Sequence, residues 1–142
     1  MWNEIALGSL LVIVTTFVHA AGTIVALKAL KWIYPVSSRH VWRSFLISCL
    51  VLGMFLVSVL DAVLWAYTYV AVGAIEGIEP ALYFSMVTFT TLGYGDIVLG
   101  DDWRLLASFE AANGVIMFGW TTALVVAYMQ RMMPTRADDA AG

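Results

Sequence analysis

Thr90-Thr91-Leu92-Gly93-Tyr94-Gly95-Asp96 lies between two long apolar stretches, and its two glycines, at alternate positions, decide how the chain is read. Glycine lacks a Cβ and accepts backbone angles that other residues mostly resist. In a soluble loop, Gly-Tyr-Gly-Asp would be an ordinary surface turn. The surroundings argue otherwise. Of the 142 residues, 62% are hydrophobic and 12% are charged, a balance foreign to soluble domains. The apolar residues come in runs long enough to cross a bilayer, for which about 20 residues suffice. Three spans are predicted. The first runs from Ile5 to Leu27 and is ended by Lys28 and Lys31. The second runs from Phe45 to Tyr69 and carries one acid, Asp61. The third runs from Leu105 to Tyr128, carries Glu110 and stops before Arg131. Between the last two, Ala81–Thr91 is apolar but too short to cross, which predicts a re-entrant segment shielded by protein or by a water-filled cavity. No stretch outside the spans is large enough to fold alone, and there are no internal repeats.

The net charge of −3 matters less than its placement. Lys28, Lys31, Arg39 and Arg43 fall in the first loop, and Arg131 and Arg136 follow the last span. The positive-inside rule makes both regions cytoplasmic, with the N-terminus outside, the C-terminus inside and the heptapeptide facing out. Only Arg104 falls on the other side. There Glu76, Glu79, Asp96, Asp101 and Asp102 would give a negative mouth that concentrates cations. Trp2, Trp65 and Trp103 are expected at the outer interface and Trp32 and Trp42 at the inner one, as aromatic belts; Trp120 is expected to pack within the bundle. Val18-His19-Ala20 faintly suggests a leader cleavage site, but only Glu4 precedes the apolar run where a basic region belongs. The lone cysteine, Cys49, is read as a small buried hydrophobe.

Thr91-Leu92-Gly93-Tyr94-Gly95 followed by Asp96 resembles the selectivity filter of the potassium-channel pore-domain family, whose pattern is Thr-x-Gly-Tyr-Gly with Asp directly after. A potassium ion leaves water only if rings of backbone carbonyl oxygens replace its hydration shell. The resemblance implies that the carbonyls of Leu92, Gly93 and Tyr94, with the carbonyl and hydroxyl of Thr91, bind the ion, Gly93 and Gly95 supplying the backbone freedom. The side chains of Leu92 and Tyr94 would pack outward. Glu79-Pro80 opens a pore helix of roughly 18 Å, proline suiting a first turn, with its C-terminal dipole aimed at the ion.

The family often places two aromatics where Tyr83 and Phe84 stand, which implies that Tyr83 donates a hydrogen bond to Asp96; Thr90 is a further support of the filter. Some bacterial members carry a Glu in mid-helix as a second partner for that Asp. Here the position is Val87, so that bond is missing. Leu92 departs mildly from the commoner Val or Ile. The third span resembles the pore-lining inner helix. Gly114 and Gly119 are candidates for a gating hinge or for close helix packing, Gly119 favouring packing. Asn113 and Thr122 are candidates to face the cavity. Glu110 is read as a structural hydrogen bond to the back of the pore helix, and Asp61 is read the same way. His19 is either a proton sensor or a neutral helix-contact residue.

The expected fold is an all-α membrane protein: three transmembrane helices plus a re-entrant pore helix and selectivity filter, assembled as a homotetramer. The expected domains are an extra N-terminal helix and basic loop (1–43), a pore domain (44–131) and a short cytoplasmic tail (132–142). Within the pore domain, the pore helix spans 80–91, the filter 91–96 and the inner helix 103–130. The first loop is either a lipid-surface segment or a plain connector. The expected function is passive, potassium-selective conduction in a bacterial inner membrane, without enzymatic chemistry. The expected cofactor set is empty apart from the permeant potassium ion, and no nucleic acid or soluble ligand is expected as a partner. The alternatives are a less selective monovalent cation channel of this fold, a potassium transporter subunit, and a non-conducting modulatory membrane subunit. An intact Tyr94-Gly95 disfavours the first, and a single copy of the motif disfavours the second.

Overall fold

A computed structural model describes residues 2–33 and 40–132. These form four helices: α1 (Trp2–Ile33), α2 (His40–Ala71), α3 (Ile78–Phe89) and α4 (Arg104–Met132), with no strand among the described residues. Tyr34, Pro35 and Arg39 of the first loop, and Arg136 of the tail, lie outside the described residues.

Helices α1, α2 and α4 are each long and apolar enough to cross a membrane, over Trp2–Trp32, Trp42–Ala71 and Arg104–Arg131. In hydrocarbon a helix satisfies its own backbone polar groups, which is why such sequences fold this way before any packing is considered. With 32 residues each, α1 and α2 are about 48 Å long, against a hydrocarbon core of about 30 Å. The helices therefore run beyond the spans expected from hydropathy at both ends. At 12 residues, α3 is too short to cross. It begins at Ile78, ahead of the expected start at Pro80, and ends at Phe89.

Packing falls into two clusters. One joins Leu11 of α1, Ala62, Trp65, Ala66 and Tyr69 of α2, Ala81, Phe84 and Phe89 of α3, and Leu106 and Met117 of α4. The other joins Leu30 of α1 to Leu46, Leu50, Met54 and Val57 of α2. Lipid tails are as apolar as leucine, so close fit rather than water exclusion draws such helices together. Small residues mark the crossings. A Cβ on Gly8 would lie 2.7 Å from Phe109 of α4, and one on Gly22 would lie 2.5 Å from Val57 of α2.

One aromatic expectation needs correction. Trp65 is fully buried among α1, α2 and α3 residues rather than in an interfacial belt. Trp103 is half-buried against the same cluster. Trp120 remains exposed along one face, with its ring edge against His19 at a centroid distance of 5.9 Å. Trp2 and Trp32 are exposed, and Trp42 stacks on Phe45. Cys49 is half-buried beside the second cluster and carries no disulfide.

Candidate functional site

The site is built on the C-terminal end of α3, which packs against both α2 and α4. Beyond Phe89 the backbone folds back on the helix rather than leaving it. The N–H of Thr90 donates to the Met86 carbonyl at 3.1 Å and that of Thr91 to Thr88 at 2.9 Å. The N–H groups of Leu92 and Gly93 both donate to Val87, at 2.9 and 3.4 Å. The Thr90 hydroxyl donates to Met86 at 2.7 Å, which fixes the same turn from its side chain. A trans peptide unit sets its C=O opposite its N–H. With the N–H groups of 91–93 turned to α3, the carbonyls of Thr90, Thr91 and Leu92 point away from it.

The next residues continue this sense. Positive φ recurs at every second position, 60° at Thr91, 56° at Gly93 and 78° at Gly95. Alternating the hand of successive residues keeps their carbonyls on one side of a nearly straight segment, where a helix or strand would separate them. No backbone hydrogen bond is accepted by the carbonyls of Thr91, Leu92, Gly93 or Tyr94 among the described residues. The glycines adopt these angles freely. At Thr91, already expected in the filter, sequence reasoning missed the positive φ, since a β-branched side chain rarely takes φ near +60°, at a cost on the order of 1 kcal/mol or more. The Leu92 and Tyr94 side chains leave most of their surface open: they are 54% and 67% exposed.

Past the segment, the Tyr83 hydroxyl donates to Asp96 Oδ2 at 2.6 Å, tying it back to the middle of α3. This bond holds the Asp96 carboxyl below its ordinary range and raises the Tyr83 phenol above its own. Val87, half-buried on α3, contributes only its carbonyl.

Behind α3 lies a buried polar network. Glu110 of α4 accepts from the Tyr69 hydroxyl of α2 at 2.6 Å on Oε2 and meets Ser85 of α3 with Oε1. Ser85 also reaches the Ala62 carbonyl of α2 at 2.6 Å. A serine hydroxyl has one hydrogen and two acceptors in reach here. All three contacts are satisfied together when Glu110 carries a proton, donates to Ser85, and Ser85 donates to Ala62. One side chain thus joins α2, α3 and α4, as expected for Glu110.

Asp61 is different. It faces α1 rather than α3, with Oδ2 2.8 Å from His19 Nδ1. Asn113 also departs from expectation. It is fully buried and donates to Thr15 Oγ1 of α1 at 2.8 Å rather than facing a cavity. Thr122 is exposed and donates to the Phe118 carbonyl of its own helix.

The two inner-helix glycines separate sharply. A Cβ on Gly114 would come within 1.9 Å of the Phe89 carbonyl oxygen, so α4 presses directly on the last residue of α3. Phe118, one turn further, sets its ring edge against Phe89 at 5.7 Å. Around Gly119 nothing lies within 4 Å, so the expected packing is absent within the chain.

Among curated proteins and solved structures, nothing matches this chain. A sequence model described as ion channel matches residues 12–131. The match begins inside α1, well before residue 44, where the pore domain was expected to start, and takes in His19, Asp61, the 91–96 segment and Glu110. The extent of that match, over helices that cross a membrane three times, makes the chain a multi-pass membrane protein of the ion channel family.

Proposed function

We propose that four copies of this chain form a potassium-selective channel, with Thr91, Leu92, Gly93, Tyr94 and Gly95 of each copy supplying one strand of the filter. The observation that carries the reading is the backbone of that segment. Positive φ at 91, 93 and 95 and carbonyls without hydrogen-bond partners give a row of oxygens directed at open space. A dehydrated monovalent cation needs such oxygens on all sides, and one strand provides one side. Rotational symmetry supplies the others from identical chains. The exposed Leu92 and Tyr94 side chains gain neighbours in the same step.

The placement of α3 supports a re-entrant path. Its end meets Gly114, the eleventh residue of α4, about 15 Å below that helix's start at Arg104. Irregular backbone at such depth is tolerated where it lines a cavity or is buried in protein. The basic residues that flank the spans orient the filter outward, with the C-terminus in the cytoplasm of a bacterial cell. Flow is passive, and Gly114 and Gly119 stand on the helix that would line the pore.

Potassium and sodium flux into liposomes containing only the purified protein tests this, with and without barium, a divalent ion close to potassium in size. The reading expects potassium flux that barium blocks and little sodium flux. Equal flux of the two ions, or potassium flux indifferent to barium, refutes the filter assignment.

A further inference from the structure

The described part of α1 is apolar on almost every side, yet one stripe of it is polar and buried. Glu4, Thr15, His19 and Thr23 are all less than 9% exposed, the last three spaced four residues apart on one face. Three members of this stripe bond to α4. The backbone N–H of Leu105 donates to Glu4 at 3.2 Å, and Asn113 donates to Thr15 at 2.8 Å. Thr23 back-bonds to the His19 carbonyl and touches Met54 of α2. Between them, His19 is fully buried and bridges two helices: Nδ1 is 2.8 Å from Asp61 Oδ2 on α2, and Nε2 is 3.2 Å from Thr121 Oγ1 on α4. Asp61 Oδ1 is buried with no hydrogen-bond partner among the described residues.

We propose that His19 and Asp61 form a proton-binding site inside the membrane whose occupancy sets how α1 grips α4. Two arrangements of the same atoms are available. With one proton fewer, Nδ1–H donates to Asp61, Nε2 is bare, and the Thr121 hydroxyl donates to it. The pair then carries one negative charge, with a carboxylate oxygen unpartnered at membrane depth, where uncompensated charge is costly. Adding a proton to Nε2 makes the ring a double donor and the pair neutral. The Thr121 hydroxyl must then turn and accept, which frees its hydrogen for its own helix. Protonation therefore reverses the single bond by which His19 holds α4.

Asp61 is the only charged group that reaches this ring among the described residues. From α4 it meets Thr121 and the edge of Trp120. Glu110, about three turns away on that helix, is turned to Tyr69 and Ser85. On α1 itself, Glu4 and Lys28 lie two turns or more away, and among the described residues α1 packs on no helix besides α2 and α4. Trp120 separates His19 from an open recess of about 520 Å³ on α4, lined also by Ile116, Gly119, Ala123 and Leu124.

The chain has two histidines, so His40→Gln leaves His19 as the sole ring signal in protein labelled with ¹⁵N-histidine and ¹⁵N-asparagine. In lipid bilayers, nuclear magnetic resonance then follows the His19 ring and the Asn113 side-chain amide from about pH 5 to 9. The expected result is a change of state at the His19 ring, with the Asn113 signal moving in step. Asp61→Asn should move that change to a different pH. Thr121→Val, which keeps the ion pair, should leave His19 titrating while Asn113 no longer follows. A His19 ring that keeps one state throughout, or that titrates without moving Asn113 in the otherwise native chain, overturns the proposal. Its consequence for conduction rests on the channel reading: potassium flux should change about fivefold or more across the same range and lose that dependence in His19→Gln. Because the resonance arm needs no flux, failure of conduction and failure of the proton site are told apart.

Discussion

Replacing Gly114 by alanine places a methyl carbon 1.9 Å from the Phe89 carbonyl oxygen and 2.8 Å from its carbon. Both atoms are backbone, so no side chain can swing aside. Ordinary contact begins at 3.4 Å, and the difference, 3.4 − 1.9, requires α3 and α4 to part by about 1.5 Å at this point. Overpacking of this kind costs about 1–3 kcal/mol. The displacement matters more than the energy. Phe89 leads directly into Thr90–Asp96, and binding geometries tolerate only about 0.5 Å. Gly114→Ala should therefore assemble yet lose potassium flux or its preference over sodium, measured in liposomes beside the native protein. Gly119→Ala is the control, because its Cβ enters open space. Native selectivity and flux in Gly114→Ala would refute the argument that this contact positions the 91–96 segment.

Gly93→Ala imposes φ near 56° on a residue with a Cβ, costing about 1–2 kcal/mol per chain, and should abolish conduction while size-exclusion chromatography still finds a tetramer. Tyr83→Phe removes the donor to Asp96, so potassium flux should decline several-fold faster during sustained conduction in a liposome time course. The pH window for this bond follows from its two partners. A carboxyl held below its ordinary 3.8 contributes above that value and is lost as pH falls through its own lower one, and Tyr83, raised above 10.0, keeps its hydrogen past that pH. Flux decay should thus be indifferent to outside pH between about 5 and 9 in an otherwise unresponsive His19→Gln background. Glu110→Gln retains an acceptor for Tyr69 and a donor for Ser85, and should keep the thermal midpoint close to native. Glu110→Ala strands both and should cost about 1–3 kcal/mol, read as a lowered midpoint in calorimetry.

Hydropathy alone was enough to place the long helices, because crossing hydrocarbon demands an apolar run whatever the neighbours are. The heptapeptide was legible for a related reason. Glycine at alternate positions leaves a trace in sequence wherever the backbone needs positive φ, although Thr91 takes the same angle with no such trace. The pairing of Glu110 with α3 was within reach, since a carboxyl in a span must find donors. Its partners were not. Which residues of two helices meet depends on their rotation about their axes, and a helix apolar on all sides carries little information on that angle. Asp61 was accordingly expected at α3 but faces α1, Asn113 was expected at a cavity but bonds Thr15, and Trp65 was expected at the interface but is fully buried. The four-residue spacing of Thr15, His19 and Thr23 was the signal that could have oriented α1.

The bond between His19 and Asp61 also has a bearing on biogenesis. Chains enter the membrane from the N-terminus as they are made, so α1 arrives with its histidine in lipid before its partner exists. Asp61 would be a liability for α2 alone, and α1 is the surface that accepts it. The first two helices thus have reason to leave the insertion machinery as a hairpin, with α4 joining an already closed pair. Shortening the chain by its first 33 residues would remove more than an appendage. It would strand an acid in the bilayer and send α2 to quality control.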